Sequence, residues 1–298
     1  MKITILHHDL EDSEKKMQEL LVEGGILVKM LDVRKASIGD FSDVDFVLNR
    51  VYASVANRDY SSISKTLTLL KELEEKNIKC LNSYLTTFYD YSKYDSYKLF
   101  KENNIATPET LFIDSEENIL GIANEAIEKF GLPLVVKRNT GGRGKDISRV
   151  DTSGDLIEDL KNKFKNAKEE EYGGGFIIQE LIKSVKSHDM RIGVFNGKFT
   201  FSFGRTLIPG DSETKWLASM SNGSEAVQCD ASDSQKILAE NVTNLIGARF
   251  NEVDILFSEK GPIIIENNPT PNYTTSEKGI KRIKTFVECL KNEEIWGN

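Results

Sequence analysis

The side chains of this 298-residue chain best placed to do chemistry lie near its C-terminal end, where the apolar runs VDILF at 253–257 and PIII at 262–265 flank Ser258, Glu259, Lys260 and Gly261. Apolar, β-branched runs joined by a short polar segment containing glycine read as an antiparallel hairpin. Centring the turn on Lys260 pairs Phe257 with Ile263 and, in the same register, Asp254 with Glu266. Carboxylates directly opposed across a sheet repel one another. Asn268, two residues past Glu266, adds a third oxygen-bearing side chain to that face. A hard divalent cation resolves the repulsion, and magnesium suits a few carboxylate and amide oxygens with positions kept for water and phosphate. The competing interpretation of the hairpin taken alone is an exposed acidic sheet face.

A second constellation lies upstream. Lys137 ends the apolar strand Leu134-Val135-Val136 and is followed by Asn139-Thr140-Gly141-Gly142-Arg143-Gly144-Lys145-Asp146. Glycines let backbone N–H groups approach phosphate oxygens, and a lysine emerging from a rigid strand is held beside them as a fixed charge. A flexible turn with a solvated lysine is the plainer alternative. No Gly-Lys-Ser/Thr opens a helix here, so the loop is not a Walker loop.

The elements that must position these groups follow from periodicity. KITIL at 2–6, a helical stretch from Asp12 to Glu23, ILVKMLDV at 26–33, DFVLNRV at 45–51, a helix from about Ser61 to Lys76 and IKCLNS at 78–83 alternate in the βαβ manner of a small parallel sheet. The first strand ends in His7-His8-Asp9-Leu10-Glu11, without the glycine turn that a dinucleotide pyrophosphate requires, which disfavours an NAD enzyme. A short helix from Ser92 to Asn103, a break at Thr107-Pro108 and a helix from Ser115 to Gly131 come next. Beyond residue 131 the pattern turns antiparallel, and Asn196-Gly197 marks a tight hairpin between DMRIGVF and KFTFSF. Further helices start near Ser153, Ser232 and Ser276. The expected organisation is an N-terminal α/β domain over 1–90, a central lid domain over 91–175, and an antiparallel C-terminal domain over 176–298 that carries the metal site.

Taken together, PLVVK at 133–137 with its glycine loop, IIQELIKSVKSHDMRIGVFNGK at 177–198 and VDILFSEKGPIIIENNPTP at 253–271 resemble the ATP-grasp family. Within it they resemble most the glutamate-ligase branch that includes the ribosomal protein S6 modification enzyme. The similarity covers roughly residues 80–275. It implies an ATP-grasp fold with ATP between two antiparallel sheets, Lys93 and Lys137 on the phosphates, and the strand end Gln179-Glu180-Leu181 offering backbone hydrogen bonds to adenine. It also implies Asp189 on the ribose, Arg191 and Arg205 near the transferred phosphate, and Asp254, Glu266 and Asn268 as ligands of magnesium, or of manganese in its place. The implied activity is an ADP-forming ligase that activates a carboxylate as an acyl phosphate and joins it to an amine. The rivals are a macrocycle-forming or kinase-like relative and a non-catalytic nucleotide-binding regulator. Two departures bear on substrate: Ser92 precedes Lys93 where the family usually has Asp, and Leu217 and Ser219 stand where it supplies an arginine and an asparagine. His7 and His8 are candidates for acceptor binding, and Arg50 for a substrate carboxylate, with a polar loop and a surface ion pair as the respective alternatives.

Composition bounds the rest. The net charge of −8, with no basic run, argues against a nucleic-acid partner. No stretch approaches the length of a membrane span and the N-terminus lacks a secretory signal, so a cytoplasmic location is expected, with homo-oligomer formation left open. Cys80, Cys229 and Cys289 are odd in number and widely spaced, and are expected as free thiols.

Overall fold

The structure, a computed structural model, describes residues 1–209, 215–273 and 276–296. Its first layer grows from strict alternation. β1 (Lys2–His7) lies between β2 (Leu27–Asp32) and β3 (Phe46–Asn49), and β4 (Lys79–Leu81) flanks β3, all parallel. Successive side chains of a strand face opposite ways. Ile3, Ile5, Phe46 and Leu48 therefore share a core with Met17 and Leu21 of α1 (Asp12–Glu23), while Leu6 and Val47 pack with Leu69 and Leu73 of α2 (Tyr60–Glu75).

Residues 84–91, given no element from periodicity, form α3 (Tyr84–Tyr91), and α4 (Lys93–Glu102) follows after the single residue Ser92. Ser92 Oγ accepts the Asp95 amide at 3.1 Å, satisfying one of the orphan donors at the start of α4. Serine thus does at this cap what an aspartate would do, and Lys93 is fixed at the first helical position.

The central sheet has the order β5 (Thr110–Ile113), β8 (Phe176–Glu180), β6 (Leu134–Arg138), β7 (Ser148–Val150), all antiparallel, with α5 (Ile119–Phe130) and α6 (Ser153–Glu169) supplying its core. β8 pairs with both β5 and β6, so this sheet runs past the boundary expected at residue 175 and closes at Glu180.

The third sheet has the order β11 (Ala226–Val227), β10 (Lys198–Thr206), β9 (His188–Phe195), β12 (Phe250–Ser258), β13 (Gly261–Asn268). α7 (Asp233–Leu245) covers the face formed by Met190, Ile192, Val194, Val253 and Ile255. The C-terminal helix α8 (Glu277–Leu290) joins this sheet to the first domain, because its Phe286 packs on Phe195 and Phe250 while Ile283, Val287 and Leu290 complete the core of Met17 and Leu21. The expected C-terminal unit therefore contributes its last helix to the first domain.

Both hairpins of the third sheet carry a bulge. Asn196 and Gly197 have φ of 50° and 69°, as a two-residue turn of the primed type requires, and Phe195 pairs with Lys198. A register shift between Phe199 and Phe201 then places Asp189 opposite Arg205. In the second hairpin Ser258 pairs with Gly261 and Phe257 with Pro262, so the expected pairing of Phe257 with Ile263 is wrong by one residue. A shift between Asp254 and Ile255 takes up an extra residue on β13 and restores Asp254 opposite Glu266. The turn is tighter than the sequence suggests, and the bulge compensates where the acids sit.

Candidate active site

The central and third sheets enclose a cleft of about 350 Å³. One wall is apolar: Val135 from β6, Ile147, Leu181, Ile208, Trp216 and Leu217 pack together. Leu217, which replaces an expected arginine, is buried in that wall, so this position offers an apolar surface and no charge. Gln179 is buried with its amide on Thr110 Oγ1 at 2.7 Å, and the Glu180 carboxylate accepts the Glu109 amide at 3.0 Å. Both side chains are thus occupied within the protein, and Leu181 follows at the rim of the cleft.

Beside this wall stand the cations, Lys137 two residues after Val135 on the same face of β6. Lys137, at the end of β6, lines the cleft and makes no ion pair among the described residues, and burial pushes its ammonium pKa down to about 8 against the pull of Glu266. Lys93 Nζ donates to the Gly141 carbonyl at 3.0 Å and pairs with Glu266 Oε1 at 3.1 Å. The glycine loop is docked on the first domain. Asn57 Nδ2 donates to the Gly142 carbonyl at 3.0 Å, and Arg143 Nη2 donates to Glu11 Oε1 at 2.6 Å. At Gly144, with φ of 70°, a Cβ would meet Asn222 Nδ2 at 2.7 Å and Ser219 Oγ at 3.0 Å. A side chain there would push the loop off residues 219–222, which is a physical reason for glycine at this position.

The floor is a charge network on β9, β10 and β12. Arg191 donates from Nε to Asp254 Oδ1 at 2.7 Å, from Nη2 to Asp254 Oδ2 at 2.9 Å, and from Nη1 to Glu252 at 3.0 Å. Arg205 Nη2 bonds Asp189 and lies 2.9 Å from Asp254 Oδ2. Burial opposes the Arg191 charge, yet Asp254 and Glu252 outweigh it and its pKa rises. Burial likewise opposes ionisation of Asp254, but the two guanidinium groups hold its pKa down to about 2. For Asp189 burial wins over Arg205 and the pKa rises. Asp189 enters the site as part of this network, since Arg205 already bonds both of its oxygens.

Among the described residues no three His, Cys, Asp or Glu side chains gather as a metal cluster, so a metal here rests on two carboxylates and an amide. The donor set fits. Asn268 Nδ2 donates to the Glu252 carbonyl at 3.0 Å, which leaves the amide oxygen as its open group. Glu266 keeps lone pairs beyond its lysine contact, and Asp254 accepts three bonds of about four a carboxylate can take.

Periodicity and motif did not single out Glu252, Asp90 or Thr270. Glu252 stands two residues before Asp254 on the same strand face, a signal available in the sequence. Asp90 lines the cleft from the end of α3, accepts Thr270 Oγ1 at 2.8 Å, and is pushed up to about 7 by burial. Its place depends on tertiary packing and left no local signal. Two candidates fall elsewhere. His8 is buried between Asp59 at 2.9 Å and Asp9 at 3.1 Å, and neither it nor His7 lines the cleft. Arg50, expected on a substrate carboxylate or in a surface ion pair, is fully buried on Glu14 Oε1 at 3.0 Å and the Pro271 carbonyl at 2.7 Å. The three cysteines are free, and no helix among the described residues is long and apolar enough to cross a membrane.

A sequence profile of the RimK-like ATP-grasp domain matches residues 91–288. A probable alpha-L-glutamate ligase of Shewanella pealeana is 28% identical over 252 residues, covering 84% of this chain and 52% of that protein. The chain thus spans about half the length of that relative. The tetrahydromethanopterin:alpha-L-glutamate ligase of Methanosarcina acetivorans is 28% identical over 246 residues, covering 79% of this chain and 70% of that one. In structure, an ATP-grasp RimK domain protein from Sphaerobacter thermophilus superposes with a TM-score of 0.70 at 15% identity, over 98% of this chain and 100% of that one.

Proposed function

Since the chain belongs to the RimK-like ATP-grasp family, we propose that it is an ATP-dependent carboxylate–amine ligase that works through an acyl phosphate and releases ADP and phosphate. The observation that carries this reading is the joint presence, around one cleft, of an apolar wall, two lysines held by rigid elements, and the opposed pair Asp254 and Glu266.

The apolar wall suits a purine, with the strand end at Glu180-Leu181 beside it. Lys137 and Lys93 suit the phosphates, and the amides around Gly141, Gly142 and Gly144 lie over the same space. Asp189, held by Arg205, is assigned to the ribose side. Asp254, Glu266 and Asn268 would hold magnesium, with manganese as the substitute. Such an ion supplies charge neutralisation for the phosphates and orients them.

A carboxylate and an amine do not condense in neutral water because hydroxide leaves poorly, so the γ-phosphoryl group is first placed on the carboxylate. The amine nitrogen then forms the C–N bond, the C–O bond to phosphate breaks, and phosphate departs. The protein's contribution is positioning and preorganised charge. Lys137 faces the transferred group with no ion pair among the described residues to be displaced first. Arg205 is already oriented by Asp189 and Asp254, so it stabilises a developing oxyanion without reorganising. The docked glycine loop keeps water from the activated acid. The substrates named for the relatives make glutamate the first amine to test, and the apolar Leu217 makes a broad acid panel necessary.

The test is ADP release across carboxylate–amine pairs, with hydroxylamine as a trap. Hydroxamate that requires ATP, a divalent cation and one class of acid supports an acyl phosphate. Phosphorylated acceptor without hydroxamate across the whole panel would replace this reading with a kinase.

A further inference from the structure

The carboxylates lining the cleft have unequal partners. Asp254 is clasped by Arg191 and Arg205, Asp189 by Arg205, Glu266 by Lys93, and Glu180 accepts a backbone amide. Asp90 has the Thr270 hydroxyl at 2.8 Å and makes no ion pair among the described residues. It lines the cleft together with Tyr52, Ser54, Pro271 and Asn272, and shares a smaller recess with Lys93 and Glu266. A partly buried carboxylate that makes no ion pair is an arrangement that a bound cation improves.

Resting on the ligase reading, we propose that Asp90 is the seat of the acceptor amine, binding it as an ammonium group, and that the enzyme selects acceptors that arrive positively charged. The geometry around Asp90 offers acceptors to two of the three N–H groups of an ammonium, its second carboxylate oxygen and the Thr270 hydroxyl oxygen. Thr270 gives its hydroxyl hydrogen to Asp90, so its oxygen lone pairs remain open beside the second carboxylate oxygen. Lys93 and Arg50 both act on Asp90 through space, but neither bonds it, because Lys93 is turned to Glu266 and the Gly141 carbonyl and Arg50 to Glu14 and the Pro271 carbonyl. An acceptor held there lies on the same side of the cleft as Lys93 and Glu266, where the phosphates and the activated acid are placed; the ammonium gives one proton to the Asp90 carboxylate, the freed nitrogen lone pair forms the C–N bond, and the departing phosphate takes the second proton.

The experiment is competition for the acyl phosphate between an uncharged and a charged nucleophile. Hydroxylamine is uncharged at neutral pH and ethylamine is protonated, so hydroxamate is followed at rising ethylamine, each protein serving as its own reference. In the wild-type enzyme ethylamine suppresses hydroxamate. In Asp90→Asn the concentration for half suppression rises about tenfold or more, as loss of one charge-assisted contact implies, and in Asp90→Glu, which keeps the charge, it moves back toward wild type. Equal suppression in wild type and Asp90→Asn, or none in the wild type, overturns the assignment. So does an Asp90→Asn protein that binds nucleotide yet makes no hydroxamate, since that places Asp90 in phosphoryl transfer. Failure of the wild type to make hydroxamate with any acid is a different result, which removes the ligase reading itself and this inference with it.

Discussion

Two arginine systems hold acids out of water in this molecule, and they differ in what they leave open. Arg50 is fully buried, and its Nε and Nη2 reach Glu14, Tyr52 and the Pro271 carbonyl. One cation meets one acid, and nothing from outside can join them. Arg191 and Arg205 instead face Glu252, Asp254 and Asp189, one carboxylate in excess, at the edge of a cleft where Lys137 makes no ion pair among the described residues. A sealed, balanced pair is a structural tie. A network with a surplus charge beside a space is where a ligand completes the balance.

The sharpest way to break the comparison is to remove Arg50. Arg50→Met leaves the buried Glu14 carboxylate with the Tyr52 hydroxyl but no counter-ion, which costs about 3–5 kcal/mol. Denaturant melting should show the loss, and Arg50→Met/Glu14→Gln should recover much of it because no unpaired charge remains. A stable Arg50→Met protein with impaired turnover would mean that Arg50 belongs to the site after all. Its bond to Pro271, two residues before Tyr273 and three after Asn268, is the route by which it would act.

The opposite pattern is expected at Glu266. It is about one-third exposed and pairs with Lys93, so Glu266→Gln changes stability by less than ~1 kcal/mol. Turnover should fall by about 10²–10³-fold, the scale of losing one preorganised electrostatic contact to a transition state. Wild-type turnover with unchanged magnesium dependence would falsify the placement of metal at this hairpin.

How far the sequence reaches can be seen in that hairpin. Alternation shows that Asp254 and Glu266 share a face, and motif order shows what fold surrounds them. The turn is one residue tighter than its composition implies, and only the bulge at β13 rescues the pairing. Bulges answer to packing of the whole sheet, so neighbouring residues do not announce them. The lysine and glycine loop were legible for the same local reason, since a strand end followed by glycines is a short-range pattern. Arg50 and Asp90 were not legible, because their environments are made by segments more than a hundred residues away: Pro271 in one case and Thr270 in the other. The expected boundary at residue 175 separates β8 from β5 and β6, with which it pairs, because a strand's own residues do not say which sheet accepts it.

Lys137 is a smaller perturbation. Lys137→Ala should weaken ATP binding by about 1.5–3 kcal/mol while leaving the fold intact. Because burial pushes its pKa down to about 8, the free enzyme loses this charge as pH rises through 8, and ATP affinity should fall between neutral and mildly alkaline pH. The same titration on Lys137→Met should lose that step, which calorimetry across the pH range can follow.

The smallest expected effect lies at the rim, where Glu11 accepts Arg143 at 2.6 Å and Asn272 Nδ2 at 2.6 Å, tying the glycine loop to the residues after β13. The arginine is half-exposed, so the pair contributes ~0.2–1 kcal/mol. Arg143 also holds φ of 59°, a left-handed conformation that costs an ordinary residue ~1 kcal/mol and glycine almost nothing. The two terms oppose each other and different substitutions separate them. Glu11→Gln removes the charge pairing and keeps the strain, so nucleotide should dissociate up to about fivefold faster. Arg143→Ala loses the pairing and keeps a left-handed residue with a Cβ, so it should behave like Glu11→Gln. Arg143→Gly loses the pairing and relieves the strain, and should lie nearer wild type in thermal stability than Arg143→Ala does. Stopped-flow release of a fluorescent ATP analogue, read beside melting curves, gives both quantities. If Arg143→Gly and Arg143→Ala melt together, the loop stores no strain and its docking rests on the Asn57 contact with the Gly142 carbonyl instead.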